Sequence, residues 1–250
     1  MKKLLIVIFF FSLLDTTFGQ SRFSIGIQGG VSKLSTFSGT LGNELPGFSP
    51  KSTVSGLGQI HGTYTMNSNL FARVGVGGMH LGMSTTMEGL QGNVLSLGNQ
   101  TLNPQLIASL GKNFQFGTGG WGGYLAAGIS MTKLDLSGER IYSLESEEGI
   151  RFQGALVTND QGAVGEVLAH NMRIYNTGNN ILWHVRPEVG VFKQIGKSKI
   201  SLAFIYGYQL REELYVVSYN SLSLFEGNYS ETHGTSGSFV SLQMGYEFSF

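Results

Sequence analysis

The chain has 250 residues, of which only 13% are charged and 37 are glycine, and it contains no cysteine. Soluble domains carry charge on roughly 25% of their residues, so a conventional solvated surface is excluded, and the missing cysteine excludes a disulfide framework and a lipid-modified cysteine anchor alike. Lysine and arginine together number 16, as do aspartate and glutamate, which leaves no basic excess for a nucleic-acid partner.

Met1-Lys2-Lys3, the apolar run from Leu4 to Leu14, and the small residues Thr17 and Gly19 read as a secretory signal peptide over residues 1–19, with cleavage expected before Gln20. Losing Lys2, Lys3 and Asp15 leaves a net charge of −1 on the remaining domain, residues 20–250. No later segment is apolar for the 18 or so residues a membrane helix needs, so any crossing must be made by strands.

Period-two alternation then appears repeatedly along the chain. Phe23, Ile25, Ile27 and Val31 alternate with Ser24, Gly26, Gln28 and Gly30, and further strands are expected over residues 53–66, 70–83, 102–112 and 121–132. Within 70–83, Leu70, Ala72, Val74 and Val76 share a face; Gly77-Gly78 then shifts the phase to Met79, Leu81 and Met83, which predicts a bulge there. Ile181, Trp183, Val185, Pro187, Val189 and Val191 oppose His184, Arg186, Glu188 and Gly190. Ile200 to Leu210 alternates likewise, with Ile205 as an apolar intruder on the polar face. The final strand sets Val240, Leu242, Met244, Tyr246, Phe248 and Phe250 against Ser241, Gln243, Gly245, Glu247 and Ser249.

Eight such strands predict an all-β fold, an eight-stranded antiparallel transmembrane β-barrel of the outer-membrane type, with outer-membrane lipid against its apolar face. Tight connections at residues 67–69, 117–120 and 196–198 alternate with long ones at 33–51, 84–100, 134–179 and 212–236, as short periplasmic turns and long extracellular loops would. A hairpin within 139–175 could add two wall strands, but its poor alternation favours an extended extracellular lid.

Phe23-Ser24-Ile25-Gly26-Ile27-Gln28-Gly29-Gly30, Asn103-Pro104-Gln105-Leu106 and Arg186-Pro187-Glu188-Val189-Gly190-Val191 resemble the PorT-like family of outer-membrane β-barrel proteins of Bacteroidota. The resemblance implies an eight-stranded barrel, some of whose relatives serve a protein-secretion apparatus. Where that family commonly shows Gln-Pro-Glu-Leu, this chain has Asn103-Pro104-Gln105-Leu106. Tyr246, Phe248 and Phe250 resemble the C-terminal signal read by the barrel-assembly machinery, and they serve equally as a lipid-facing girdle.

Face assignment points Arg73, His184, Arg186, Glu188, Arg211 and Glu247 inward with Gln28, Gln105, Gln209 and Gln243. An eight-stranded interior is just wide enough for side chains to fill, so these are expected to form a charge-paired plug rather than a pore for small solutes, each arginine with an acidic or amide partner. Tyr215, Tyr219, Phe225 and Tyr229 fall in the last long loop, where exposed aromatics either anchor a protein partner or pack the loops together. The five histidines, His61, His80, His170, His184 and His233, show no metal-ligand spacing, and no activated nucleophile is visible, so neither an enzyme nor a cofactor is expected. Gly75-Val76-Gly77-Gly78 and Gly117-Thr118-Gly119-Gly120 lack the following Lys-Ser/Thr helix of a phosphate loop.

Overall fold

In lipid, a strand can satisfy its backbone only by pairing on both edges, and the chain's alternating segments do so by closing on themselves. The computed structural model describes residues 22–88, 93–134, 141–158, 164–210 and 213–250. Residues 1–19, expected as a signal peptide, and Arg211 lie outside these residues. The strands are β1 (Arg22–Thr40), β2 (Phe48–Ser52), β3 (Val54–Thr65), β4 (Leu70–Met87), β5 (Asn93–Phe116) and β6 (Trp121–Lys133). They continue as β7 (Ile141–Thr158), β8 (Val164–Asn176), β9 (Ile181–Ile195), β10 (Ser198–Gln209), β11 (Tyr215–Leu224) and β12 (Gly227–Ser249).

Eight of them, in the order β1-β3-β4-β5-β6-β9-β10-β12, form the wall, and β12 returns to β1 from Ser24↔Ser249 to Leu34↔Phe239. All of these pairings are antiparallel. At one end the wall strands are joined by short turns. Asn69 takes a left-handed φ of 61° in the first, which its short amide side chain tolerates, and Gly196 takes 58° in the last.

Outward positions along the wall form an apolar belt without a charged or amide side chain from Ile25 to Val31, Leu70 to Val76, Leu102 to Leu110, Leu125 to Ile129, Ile181 to Val191, Ile200 to Leu210 and Val240 to Phe250. Lys112 and Lys193 border this belt at the turn end, over Phe114 and Trp121 at 5.8 and 4.9 Å from the ring centroids. Lys33 and Lys133 border it at the other end. Exposed Phe114, Phe116, Trp121, Tyr246, Phe248 and Phe250 make an aromatic girdle at the turn end, with Tyr206 and Tyr208 towards the opposite rim. This is the outer surface of a barrel that spans a membrane.

Beyond that rim the strands do not stop. The long connections expected as loops are largely strand: β1, β4, β5 and β12 continue past the belt, β2 pairs with β4, and β12 exchanges its partner β10 for β11. The exchange happens around Gly237, whose φ of 81° admits the kink at low cost. The residues expected as a lid form the β7–β8 hairpin, which joins β11 and not the wall. Its alternation is illegible in the sequence because register shifts fall between Glu145 and Ile150 and between Arg151 and Leu156. Together these segments build a crown with an apolar core that includes Leu45, Phe48, Phe152, Val167, Met172, Val217, Tyr219 and Leu222.

The bulge expected at Gly77-Gly78 is not there. Pairing with β3 runs unbroken from Leu57↔Met79 to Thr65↔Phe71, and the register shift lies on the β5 side, between Met79 and Leu81. Met79, Leu81 and Met83 therefore point inward and are buried, where their apolar character suits the crown core instead of lipid.

A cation on the outer belt tests the membrane assignment. Phe204→Arg, near the middle of β10, is expected to cost about 2–4 kcal/mol in equilibrium folding into lipid vesicles, whereas Ser201→Ala is expected to change little. Wild-type protein is expected to migrate differently on SDS gels with and without boiling.

Candidate functional site in the barrel lumen

Because wall strands alternate, every second residue enters a narrow shared interior, and distant parts of the sequence meet there. Arg73 on β4 faces Glu188 on β9: its Nη1 donates to both carboxylate oxygens at 3.0 and 3.1 Å. Tyr124 on β6 donates its hydroxyl to the same Glu188 Oε1 at 2.5 Å. The Arg73 guanidinium also lies 5.2 Å from the Phe71 ring centroid and 5.6 Å from that of Tyr124. A buried pair held this way sets each charge against its opposite within the interior.

A second centre forms near the turn end around Glu247 on β12. Lys199 lies 3.0 Å from its Oε2, His61 Nε2 lies 3.7 Å from the same atom, and Ser24 donates its hydroxyl to Oε1. Amides fill the space between and above. Gln59 Nε2 donates to Gln28 Oε1 at 2.6 Å, and Gln105 Nε2 donates to Ser130 Oγ and Thr132 Oγ1 at 3.2 and 3.0 Å. Among the described residues Arg186 reaches only Gln105 Oε1, at 3.4 Å, and His184 Nε2 lies 3.2 Å from the carbonyl of Gly237. At the turn end the lumen opens into a cavity of about 280 Å³ whose lining includes Asn69, Asn113, Gln115, Gln194, Lys199 and Glu247. Towards the crown it meets Met79, Leu182, Leu214 and Phe239, all fully buried. Ile205, an intruder in the sequence pattern, is fully buried opposite Glu188 on β9 and Ser241 on β12.

The structure thus brings Arg73, His184, Arg186, Glu188 and Glu247 inside the barrel, while Arg211 lies outside the described residues. Sequence reasoning missed Tyr124, Lys199 and His61. Tyr124 and Lys199 do alternate inward on their strands, and that was the available signal. Tyr246, Phe248 and Phe250 line the outer face, with the Phe248 and Phe250 rings 5.7 Å apart.

The loop aromatics separate. Tyr219 is fully buried in the crown against Phe48 at 5.0 Å and donates its hydroxyl to Thr85 Oγ1 at 3.0 Å. Tyr215 is buried and Tyr229 packs against the same core, so these three stabilise the crown from within and do not stand out as tips. Phe225 is the exposed one, at the β11–β12 turn with a φ of 53°. Beside Tyr219, Thr85 Oγ1 lies 3.4 Å from His233 Nδ1, whose Nε2 lies 2.9 Å from Glu231 Oε2; Glu231 Oε1 accepts the Leu45 N–H. Burial lowers the His233 pKa to about 4 and raises that of Glu231, so both lean towards their neutral forms. The row of hydroxyl, imidazole and carboxylate has the order of a nucleophilic triad, but Thr85 and His233 are sealed from solvent. Among the described residues no three His, Cys, Asp or Glu side chains cluster as a metal site.

No family model and no curated protein matches the chain. Among solved structures it is similar to the outer membrane protein OprG from Pseudomonas aeruginosa, at 13% identity and a TM-score of 0.45, over 91% of this chain and 95% of that one. It is also similar to the β domain of the Bordetella autotransporter BrkA, at 10% identity and a TM-score of 0.29, over 92% and 99%. The TodX monoaromatic hydrocarbon channel aligns at 11% identity and a TM-score of 0.25, over 92% and 90%. The architecture here is read from the chain's own strand pairing and not from these distant likenesses.

Two measurements follow from the buried groups. Glu188→Gln leaves Arg73 without its counter-charge and is expected to destabilise the barrel by about 3–5 kcal/mol, with part recovered in the Arg73→Met/Glu188→Gln double variant. In the crown, an unfolded His233 takes up its proton near its ordinary 6.5, but the folded one only near 4. Stability is therefore present above that window and lost as pH falls through it, opposed in part by protonation of Glu231. Amide exchange in β11 and upper β12, corrected for intrinsic rate, is expected to accelerate from about pH 7 to about pH 5, and His233→Gln is expected to flatten the change.

Proposed function

We propose that the protein is a non-enzymatic barrel of a bacterial outer membrane that does not conduct solutes and holds a folded β-crown outside the cell as a docking surface for a partner protein. The apolar belt and the closed wall support the membrane, and the signal peptide expected at residues 1–19 supports export to it. The short turns then face the periplasm. Tyr246, Phe248 and Phe250 are offered to the barrel-assembly machinery from the last strand.

The observation that carries the reading is the full burial of Met79, Leu182, Leu214 and Phe239, apolar side chains packed into the core at the crown end of the lumen. A path with an apolar seal passes neither ions nor hydrated solutes. What remains accessible is the crown. Its sheet ends at β7, which pairs with β8 on one side and has no hydrogen-bonded neighbour on the other among the described residues. Ile141, Tyr142 and Leu144 are exposed along it, followed by exposed Glu145, Glu147 and Glu148. An unpaired strand carrying apolar side chains is the surface on which a partner strand adds. The resemblance to PorT-like proteins points the same way, to an accessory of an outer-membrane secretion or assembly complex.

A photo-crosslinking side chain at position 144 is expected to trap one discrete partner in intact cells, while the same probe at Ser38, exposed on β1, traps none. Equal labelling at both positions, or none at either, would sink the docking reading. A narrow pore is the second reading, favoured by the polar lumen and its cavity at the turn end. Planar-bilayer recordings decide it: silence is expected from the wild type, and steady conductance steps abolished by Arg186→Ala would establish the pore instead.

A further inference from the structure

Counting the charges inside the wall gives three cations, Arg73, Arg186 and Lys199, against two carboxylates, Glu188 and Glu247, among the described residues. Both oxygens of Glu188 are engaged by Arg73, and Glu247 is engaged by Lys199, Ser24 and His61. Arg186 has no carboxylate within ion-pair distance among the described residues, and its hydrogen bond to Gln105 Oε1, at 3.4 Å, is at the long limit for such a bond. Gln105 is not free to improve it, because its Nε2 is tied to Ser130 and Thr132. The Arg186 side chain is nevertheless only 3% exposed. A guanidinium remains charged at any accessible pH, and burying one without a counter-charge is costly.

We propose that the lumen binds one small monatomic anion, of halide size and charge, on the remaining N–H groups of Arg186. A water molecule could accept the same hydrogen bonds but would neutralise nothing. A carboxylate or phosphate would bring its larger charge cloud against Glu188, two residues along the same inward face, so a single compact negative charge is the fit. Arg186 points inward from a strand of the closed wall, so its residual exposure is to luminal space and not to the protein exterior. The anion completes the neutrality of the plug, and the inference stands independently of what docks on the crown.

Bromide is the probe. Crystals of the detergent-solubilised barrel grown in bromide are expected to show an anomalous peak within hydrogen-bond reach of the Arg186 guanidinium, lost in Arg186→Gln. In solution, the temperature at which the folded gel band disappears is expected to rise by several degrees when bromide replaces a bulky organic anion at constant ionic strength. Gln105→Glu places a carboxylate where Gln105 now offers its amide oxygen, and is expected to abolish both the peak and the bromide dependence while keeping the fold. It keeps the idea testable even if Arg186→Gln does not assemble. A folded barrel without a bromide peak at Arg186, or undiminished bromide dependence in Gln105→Glu, would overturn the site.

Discussion

Closure of β12 on β1 is the constraint from which the rest of the structure follows. Hydrocarbon offers no partner for a peptide N–H or C=O, so the first and last wall strands must find each other across more than two hundred residues of sequence. That non-local pairing dictates an even number of antiparallel strands and short turns at the end where both wall termini lie. It also leaves an interior fixed by strand number. Everything that enters the interior must then be accommodated at side-chain scale, which is why it is filled by paired charges and amides and not by water alone.

Two solvents bear on one sheet. Along the belt, lipid asks for an apolar outside and permits a polar inside, while a few residues further along the same strands the crown asks for the reverse. Met79, Leu81 and Met83 on β4 lie on the inward face continuous with Arg73, yet they pack in an apolar core. The switch from a polar lumen to an apolar layer occurs within single strands, between Arg186 and Leu182 on β9 and between Gln243 and Phe239 on β12. A membrane barrel and a soluble-type β-domain thus share strands and differ in what their inner faces contain.

Buried charge sets what the lumen can be. Arg73, Glu188 and Tyr124 form a unit in which each charge faces its opposite, and such a unit is rigid because any displacement strands a charge in a poorly polarisable interior. Arg186, held by one long bond to an amide, is the exception in the same space. The two guanidinium groups are thus differently served within one interior, Arg73 by a carboxylate and Arg186 by an amide.

The sequence by itself determined the wall. Period-two alternation placed the eight strands and their inward residues, because lipid on one face and a crowded lumen on the other impose opposite demands on every successive side chain. It also showed that Arg73, His184, Arg186, Glu188 and Glu247 share an interior. Tertiary structure alone decided who pairs with whom, since strand tilt and register set which level each inward residue reaches: Arg73 meets Glu188, not Glu247, and Tyr124 joins them. It likewise decided the crown, whose strands bend, shift register and pack one face on an apolar core, so that the alternation that reveals a wall strand is lost. Tyr219 reads in sequence as a loop aromatic and is a buried core residue for that reason. Outside the membrane no lipid enforces the pattern, and only packing records it.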